Sequence, residues 1–309
     1  MIVDRLTVAP EVATAVAEGR PIVALESTLI SHGLPYPANL DVARASEAAV
    51  RVSGAVPATI AIRDGRLVVG LGAADLEALA TAPSGSVRKA SWPSLATALA
   101  AGGWAATTVS ATMIAAHAVG IRVFATGGIG GVHRGAVGGP SPSLDISSDL
   151  EELARTPMAV VCAGPKAILD VPATLEYLET RGVPVVTIGQ ADLPGFYARS
   201  SGIASPQVAA SVEDAARVGA IHLDLGLGGV LLCVPVPEAE ALPGDAARDA
   251  VERAIGEAKA AGIAGPALTP WLLTRIATIT DGASVRANTA LIENNARVAG
   301  RVAAALATS

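Results

Sequence analysis

Short apolar runs rich in β-branched residues alternate along the chain with longer alanine-rich segments of helical periodicity. Runs of the first kind predict β-strands, and segments with apolar residues three or four positions apart predict α-helices. The predicted strands are residues 21–25, 57–62, 66–70, 106–110, 121–127, 158–164, 184–189 and 229–235. The predicted helices are residues 8–19, 38–53, 73–80, 93–102, 111–119, 147–155, 166–181, 206–218, 246–261, 269–280 and 284–307.

The order of these elements predicts an α/β protein. Strands that alternate with helices usually form a mainly parallel sheet with helices on both faces. We therefore expect an α/β/α sandwich with a mixed, mainly parallel central sheet. From about residue 240 the predicted strands cease, so the chain should end in a helical C-terminal segment. A cap, an oligomer interface and one layer of the sandwich are the three interpretations of this segment.

The composition supports this fold and bounds its size. Of the 309 residues, 51% are hydrophobic and only 3% are aromatic, so alanine, valine, leucine and isoleucine must fill the core. Such a core suits helices packed on a parallel sheet. A chain of this length lies at the upper end of what one domain reaches. We predict a single domain over residues 1–309, because the sequence has no internal repeat and no long linker.

Charge and apolar-run length argue against polymer and membrane partners. The formal net charge of -6 offers no broad basic surface for a nucleic acid polymer or an anionic membrane. The apolar stretches are interrupted well short of the ~20 residues that a membrane-spanning helix needs. The N-terminus has no signal-like apolar run, and Cys162 and Cys233 lie in apolar strings as expected for buried thiols. These features predict a cytoplasmic protein.

Polar residues that follow predicted strands indicate where a ligand binds, because ligands of open α/β sheets lie beyond the carboxyl ends of the strands. Glu26 follows the first predicted strand, the string TGGIGG (126–131) the fifth, and Lys166 the sixth. TGGIGG lacks the spacing of a dinucleotide fingerprint. Its backbone N–H groups nevertheless suit a phosphate, with His133 and Arg134 as additional partners. If the strands are parallel neighbours, these loops should meet in one crevice.

Lysine is rare in this chain, which makes each lysine informative. The chain has 22 basic residues, but only Lys89, Lys166 and Lys259 are lysines. Arginine stays protonated, whereas a lysine amine can become neutral and nucleophilic. Pro165 suits the first position of a helix, which would place Lys166 in the first turn, where the helix dipole disfavours a charged amine. Lys166 is the candidate nucleophile, and a solvated lysine at a helix start is the competing interpretation.

Glu26 and Lys89 are candidates for proton transfer and anion binding. A carboxyl at the end of a buried strand is costly unless it is paired or functional. We therefore interpret Glu26 as a general acid or base. The alternative is an acid that caps a helix or pairs with an arginine. Lys89 lies beside Arg88 after a Ser/Gly loop, where it would bind an anion or simply carry loop charge.

Asp145 and Asp149 indicate a metal site. The two residues are four positions apart in the string SLDISSDL, so they would share one face of a helix beginning there. Carboxylates with neighbouring serines form an oxygen-rich setting suited to Mg²⁺ or Mn²⁺, which usually retain several waters. Capping of the helix by Asp145 is a competing interpretation that is compatible with metal binding.

Seven strings of the sequence are long and unusual in composition. They are ALESTLISHGLPYPAN (24–39), GAVPATIAI (54–62), ATTVSATM (106–113), FATGGIGGVHRGA (124–136), LDISSDL (144–150), VVCAGPKAILD (160–170) and LPGFYARSSG (193–202). Together they closely resemble the pseudouridine-5′-phosphate glycosidase family, also called the indigoidine synthase A-like family. The resemblance implies a Mn²⁺-dependent, homotrimeric enzyme that reversibly cleaves the C–C glycosidic bond of pseudouridine 5′-phosphate, giving uracil and ribose 5-phosphate.

The resemblance also implies roles for individual residues. The family's acid falls on Glu26, its Schiff-base lysine on Lys166 and its metal aspartate on Asp145. Its substrate contacts fall on Lys89, Val109, Ser147, Ser148, Asp149 and, in the similar segment SVRANTALIENNA (284–296), Asn288. His133 of the glycine-rich loop is the further residue that we expect to contact substrate. The loop AVGGPSPS (136–143), which precedes the metal aspartate, is longer than is usual in the family.

The chemistry of the expected substrate suits a lysine nucleophile. A C–C glycoside has no leaving oxygen or nitrogen to protonate, so paired carboxylates alone would not suffice. We expect the ribose to open, Lys166 to attack C1′ and form an iminium, and Glu26 to protonate the uracil carbon as the bond breaks. The metal would polarise the uracil through water, and Lys89 would hold the phosphate. An aldolase-like lyase for another sugar phosphate and a non-catalytic sensor of sugar phosphates are the rival interpretations.

Overall fold

A mixed sheet of eleven strands forms the middle layer of the protein. The structure, a computed structural model, describes residues 2–83, 85–138, 142–263, 265 and 268–307. The strands are β1 (Leu6–Val8), β2 (Ile22–Leu25), β3 (Val56–Arg63), β4 (Arg66–Val69), β5 (Arg88–Ala90), β6 (Trp104–Thr107), β7 (Val123–Ala125), β8 (Ala159–Cys162), β9 (Val185–Ile188), β10 (Gln207–Ala209) and β11 (Val230–Cys233). Their order is β1-β4-β3-β2-β7-β8-β11-β9-β10, with β6 paired to β3 and β5 paired to β6. Strand β3 runs antiparallel to β4 and β6, and the other pairs are parallel.

Helices cover both faces of the sheet, which confirms the predicted α/β/α sandwich. The helices are α1 (Pro10–Ala17), α2 (Thr28–His32), α3 (Ala38–Val52), α4 (Ala73–Ala80), α5 (Leu95–Ala100), α6 (Val109–His117), α7 (Ser148–Arg155), α8 (Val171–Thr180), α9 (Val212–Asp224), α10 (Gly244–Ala260), α11 (Leu268–Ile279) and α12 (Ala283–Ala307). Within the described ranges, none of them is long and apolar enough to cross a membrane. Cys162 and Cys233 are the buried free thiols that the sequence predicts, and they lie opposite each other in β8 and β11.

The strand β3 determines where the sheet opens. Its first half, Val56 to Thr59, pairs with β2, whereas Ala61 to Arg63 pair with β6 on the same edge. The chain then reverses through Asp64 and Gly65, whose φ angles of 49° and 77° are those of a type I′ turn that leads directly into β4. The carboxyl ends of β2 and β6 therefore meet on this edge of β3, where Thr107 N donates to the Ser27 hydroxyl at 2.9 Å.

Two core clusters fill the spaces between the three layers. On one face, Val12, Met113, Leu150 and Leu178 of α1, α6, α7 and α8 pack on the sheet. On the other, α3, α9 and α12 pack against alternate residues of the same strands. The helix α12 is thus one layer of the sandwich. A third cluster joins α10 and α11 to the segment after β8, so these two helices lie beside the loop that carries Lys166.

Several predicted boundaries are wrong for identifiable reasons. The strand predicted at 106–110 is β6, which ends at Thr107, and the β-branched Val109 already begins α6. The helix predicted at 206–218 begins at Val212, where Ser211 accepts a cap hydrogen bond, after the separate strand β10. The strands β1, β5 and β10 were not predicted, because three residues show no periodic pattern, whereas the equally short β7 lies in a longer apolar run.

Candidate active site

The carboxyl ends of three adjacent parallel strands bring Glu26 and Thr126 together. In the register of β2, β7 and β8, Leu25 lies opposite Ala125, which lies opposite Val161. Glu26 and Thr126, which follow Leu25 and Ala125, therefore lie side by side at the edge of the sheet. There the Thr126 hydroxyl donates a short hydrogen bond to Oε1 of Glu26. This threonine follows directly from strand pairing, and the sequence analysis did not single it out.

The glycine-rich loop after β7 positions the loop after β8. Ala163 N donates to the Gly127 carbonyl at 2.9 Å, and Lys166 N donates to the Ile129 carbonyl at 3.1 Å, so the parallel pairing continues beyond both strands. Gly128 is required for this approach, because a Cβ there would lie 2.8 Å from the Gly164 carbonyl oxygen. The loop thus fixes the backbone of Lys166.

The glycine-rich loop was expected to bind a phosphate through its backbone N–H groups, but several of these groups already donate hydrogen bonds within the protein. Ile129 N donates to the Gly164 carbonyl, Gly130 N to the Asp149 carboxylate and Val132 N to the Thr174 hydroxyl. These three N–H groups are therefore already paired inside the protein. Arg134, the other expected phosphate partner, forms an ion pair with Glu252 of α10.

The predicted helical position of Lys166 is wrong. The helix α8 begins at Val171, and its N-cap is Asp170, which accepts a hydrogen bond of 3.1 Å from Ala173 N. Lys166 precedes it in a turn closed by the hydrogen bond from Leu169 N to the Lys166 carbonyl. A helix dipole therefore does not act on this amine as expected. The side chain is half-buried and close enough to Glu26 for its charge to act on that carboxyl.

Four charged side chains form one electrostatic cluster: Glu26, Lys89, Asp149 and Lys166. Burial raises the pKa of the Glu26 carboxyl, against the opposing effect of the Lys166 charge, the Thr126 hydrogen bond and the Lys89 charge. Burial also lowers the pKa of the Lys89 amine, and the charge of Lys166 lowers it further. Because such effects weaken with distance, they put the expected acid, nucleophile and substrate lysine in a single site.

Asp149 is a structural link within this site. Its two carboxylate oxygens accept hydrogen bonds of 3.0 Å from Ser110 N and from Gly130 N, and the residue is only 6% exposed. It therefore connects the start of α6 to the glycine-rich loop. The expectation that Asp149 shares a helix face with Asp145 is wrong, because α7 begins at Ser148. Ser147, and not Asp145, caps this helix.

Asp145 lies outside α7 with a side chain that is 51% exposed. Its Oδ2 atom is 3.9 Å from Nδ1 of His133, and His133 N donates to the Asp145 carbonyl at 3.0 Å. Across the described ranges, no three His, Cys, Asp or Glu side chains form a group that could hold a metal ion. Asp145 with His133 beside it still fits an ion of the Mg²⁺ or Mn²⁺ type, which takes few protein ligands and several waters. Residues 139–141 of the preceding long loop lie outside the described residues.

Hydroxyl groups surround the start of α6 at the edge of the site. The Ser110 hydroxyl lies 3.2 Å from that of Thr108 and 3.3 Å from that of Ser148, and it accepts a hydrogen bond from Trp92 N. Val109 is 2% exposed, so a substrate contact there would have to involve its backbone. Ser110 and Thr108 were missed because a serine or threonine has no distinctive sequence signal.

Asn295 of α12 is another residue that the sequence analysis missed. Its Nδ2 donates to the carbonyls of Thr126 at 2.9 Å and Gly127 at 3.3 Å, and its side chain is completely buried. Asn288, the expected contact on this helix, lies half-buried two turns earlier. Asn295 could have been found from its position on the apolar face of a predicted amphipathic helix, because a buried amide needs a hydrogen-bond partner.

Comparison with known proteins gives a consistent assignment. The profile described as indigoidine synthase A like protein matches residues 11–305. Pseudouridine-5′-phosphate glycosidase of Paracoccus denitrificans is 54% identical, covering 98% of this chain and 99% of that protein. The enzyme of the same name from Sorangium cellulosum is 53% identical, covering 99% of this chain and 95% of that protein.

Solved structures agree with these sequence matches. The prealnumycin C-glycosynthase AlnA, in complex with ribulose 5-phosphate, superposes with a TM-score of 0.89 at 41% identity over 98% of this chain and 97% of that one. The indigoidine synthase A-like protein of Thermotoga maritima has a TM-score of 0.85 at 33% identity over 98% of this chain and 96% of that one. The chain described here is therefore an enzyme of the indigoidine synthase A-like family.

Proposed function

We propose that this enzyme reversibly cleaves the C–C glycosidic bond of pseudouridine 5′-phosphate to uracil and ribose 5-phosphate. The observation that carries the proposal is the position of the Glu26 carboxyl directly after β2, near enough to Lys166 for the charge of that amine to act on it. The names of the relatives support the substrate. The structural neighbour, a C-glycosynthase in complex with ribulose 5-phosphate, supports a pentose phosphate as ligand and chemistry at a C-glycosidic bond.

Lys166 is the proposed nucleophile. As the ribose ring opens, the C1′–O4′ bond breaks, O4′ takes up a proton and the Nζ amine bonds to C1′, which gives a secondary amine that still carries the uracil. A proton delivered to the uracil carbon that is bonded to C1′ prepares this bond for cleavage, and the lone pair of Nζ forms the C1′=N iminium as the bond breaks. The electrons of the C–C bond then return to the uracil ring as the base departs, and water hydrolyses the remaining imine to free ribose 5-phosphate and the amine.

Glu26 is the proposed general acid. Burial raises the pKa of this carboxyl and so favours its protonated form, which a general acid needs when it delivers its proton. The Thr126 hydroxyl orients Oε1 and leaves the other carboxyl oxygen available for the uracil carbon. Lys89, whose pKa burial lowers, supplies positive charge for the phosphate together with donors at the start of α6.

A divalent ion, Mn²⁺ by the family resemblance, would be held by Asp145 with His133 beside it. Such an ion supplies positive charge that polarises a substrate oxygen through a bound water. Ser147 and Ser148, which lie between Asp145 and Asp149 in the sequence, would bind the uracil end. A homotrimeric assembly, which rests on the family resemblance, and a cytoplasmic location, which rests on the sequence features given above, complete the proposal.

The direct test of the activity is condensation of uracil with ribose 5-phosphate in the presence of Mn²⁺, followed by chromatographic detection of pseudouridine 5′-phosphate. The proposal expects this product and the reverse cleavage. Turnover of a different sugar phosphate, with neither reaction detected, would favour an aldolase-like lyase. Ligand binding that is unchanged in Lys166→Arg, without any turnover by the wild-type enzyme, would favour a sensor.

A further inference from the structure

A small cavity lies behind Glu26, between the sheet and helices α2, α3 and α12. Its volume is about 10 Å³, which accommodates the centre of one water molecule. The residues that line it are Leu25, Glu26, Leu29, Ile30, Ala43, Ser46, Thr59, Ala125, Thr126 and Ile292. Four of these carry polar side chains, and a buried water needs two to four polar partners. The cavity is therefore suited to one ordered water beside the proposed general acid.

Thr59 connects this cavity to the outer layer of the protein. It lies in the first half of β3 and is 2% exposed, and its Oγ1 atom donates a hydrogen bond of 2.5 Å to Oε1 of Glu47. Glu47 lies on α3 and is partly exposed to solvent. When the Glu47 carboxyl is protonated, this bond reverses: the carboxyl donates to Oγ1, and the threonine hydroxyl donates to a water in the cavity.

We propose that Glu26, one water in this cavity, Thr59 and Glu47 form a proton relay that restores the general acid after each turnover. The proposal rests on the assigned role of Glu26 as proton donor. Once Glu26 has given its proton to the uracil carbon, the cavity water protonates Glu26 and takes a proton from the Thr59 hydroxyl. That hydroxyl takes one from the Glu47 carboxyl. One O–H bond forms at Glu26 and one breaks at Glu47, and Glu47 regains its proton from solvent.

The surroundings of Glu47 fit this role. Burial raises the pKa of the Glu47 carboxyl against the opposing hydrogen bond from Thr59, so the protonated form that the relay requires is accessible. Glu47 supplies the proton to Thr59 and does not contact the substrate. Such a relay would be useful when substrate bound beside Lys166 restricts exchange between the Glu26 carboxyl and bulk water.

Replacement of Thr59 tests the relay. Thr59→Val keeps the shape of the side chain and removes the hydroxyl, and Thr59→Ser keeps the hydroxyl. We expect Thr59→Val to lower kcat about 10-fold with little change in KM, a modest share of what general acid–base catalysis contributes. The solvent deuterium isotope effect on kcat should rise, because proton delivery becomes rate-limiting. Thr59→Ser should restore both quantities.

Glu47→Gln is the second variant and keeps an acceptor for Thr59 while removing the proton source. It should reproduce the lower kcat and the larger isotope effect. Thr156→Val is the matched control, because Thr156 also donates to a glutamate whose pKa burial raises, Glu152, at the end of α7. The control should keep the wild-type isotope effect.

Wild-type kcat and isotope effect in both Thr59→Val and Glu47→Gln would overturn the relay. If Glu26→Gln is inactive in the same experiment, the assigned role of Glu26 survives and the proton reaches it from the substrate side. If Glu26→Gln is fully active, the proposed function itself is wrong. The two failures are therefore distinguishable.

Discussion

Asn295 donates a hydrogen bond of 2.9 Å to the backbone carbonyl of Thr126, although the two residues are 169 positions apart. Thr126 in turn donates from its hydroxyl to Glu26. The C-terminal helix α12 therefore holds the residue that orients the proposed general acid. The only residue of α12 that was expected in the site is Asn288, a substrate contact. The hydrogen bond from Asn295 shows that this helix also supports the site structurally.

Asn295→Leu should lower both stability and activity. The leucine is similar in size, but it leaves the Thr126 carbonyl buried without this donor, which costs about 1–3 kcal/mol of unfolding free energy. Chemical denaturation measures the loss, and steady-state kinetics should show a lower kcat because Thr126 is no longer fixed. Asn294→Leu is the control, since its side chain makes only a long contact of 3.5 Å to the Pro235 carbonyl. Equal effects of the two variants would contradict a specific role for Asn295.

Gly130→Ala should disrupt the link between the glycine-rich loop and α7. A Cβ at this position would lie 2.6 Å from Cβ of Ser147 and 2.8 Å from Oδ2 of Asp149. Overpacking of this kind costs about 1–3 kcal/mol, and displacement of Asp149 should also lower kcat/KM. Gly256→Ala on α10 is the control, because nothing lies within 4 Å of a Cβ there. An unaltered kcat/KM in Gly130→Ala would show that Asp149 is not needed in its observed position.

Glu26→Gln should reduce kcat by about 10²–10⁴-fold, because the general acid is removed. In the wild-type enzyme, kcat should fall as the pH rises through the elevated pKa of Glu26, since the carboxyl then loses the proton that it must donate. The pH profile of kcat for cleavage, at a constant Mn²⁺ concentration, measures this decrease. A profile that instead rises with pH in this range would argue for Glu26 as a base.

The same carboxyl makes stability depend on pH. Folding raises the pKa of Glu26, so the folded state binds its proton more tightly than the unfolded chain does. The resulting stabilisation is fully present below the unfolded pKa and is lost as the pH rises through the folded pKa. Glu26→Gln abolishes this titration, so the Tm of the variant relative to wild type should increase with pH over that interval. A constant difference in Tm across the interval would contradict a raised pKa.

Asp145→Asn should weaken Mn²⁺ binding by about 10- to 100-fold, the range seen when a metal site loses important interactions. Isothermal titration calorimetry with Mn²⁺ alone measures this affinity independently of activity. Asp245→Asn is the control, because Asp245 is 93% exposed on α10. Removal of metal with a chelator should lower wild-type activity, and added Mn²⁺ should restore it. Wild-type affinity in Asp145→Asn would move the metal site elsewhere.

The sequence predicted the layers of the fold because they depend on periodic apolar patterns that extend over many residues. The strands β2, β3, β8 and β11 and the helix α3 lie within a residue or two of their predicted bounds. The start of α8 was misplaced, because the turn at Lys166 is fixed by pairing to Ile129 in another loop. Such pairing depends on tertiary contacts and leaves no local signal.

The residues of the candidate site also divide into those with a local sequence signal and those that depend on tertiary contacts. Glu26 and Lys166 could be found because each places an ionisable side chain directly after an apolar strand. Asp149 was singled out as a partner of Asp145 on one helix face, whereas its carboxylate accepts hydrogen bonds from two backbone N–H groups. The partners Thr126 and Asn295 are polar residues of ordinary type, and their importance depends on what they contact.

The most direct test of the account is reduction of the enzyme with borohydride in the presence of ribose 5-phosphate, followed by intact-mass and peptide analysis. The account predicts one reduced pentose phosphate adduct per chain, attached to Lys166. The adduct should disappear in Lys166→Arg and persist in Lys259→Arg, whose lysine lies on the exposed face of α10. An adduct on Lys89, or cleavage of pseudouridine 5′-phosphate by an enzyme that forms no adduct, would contradict covalent catalysis by Lys166.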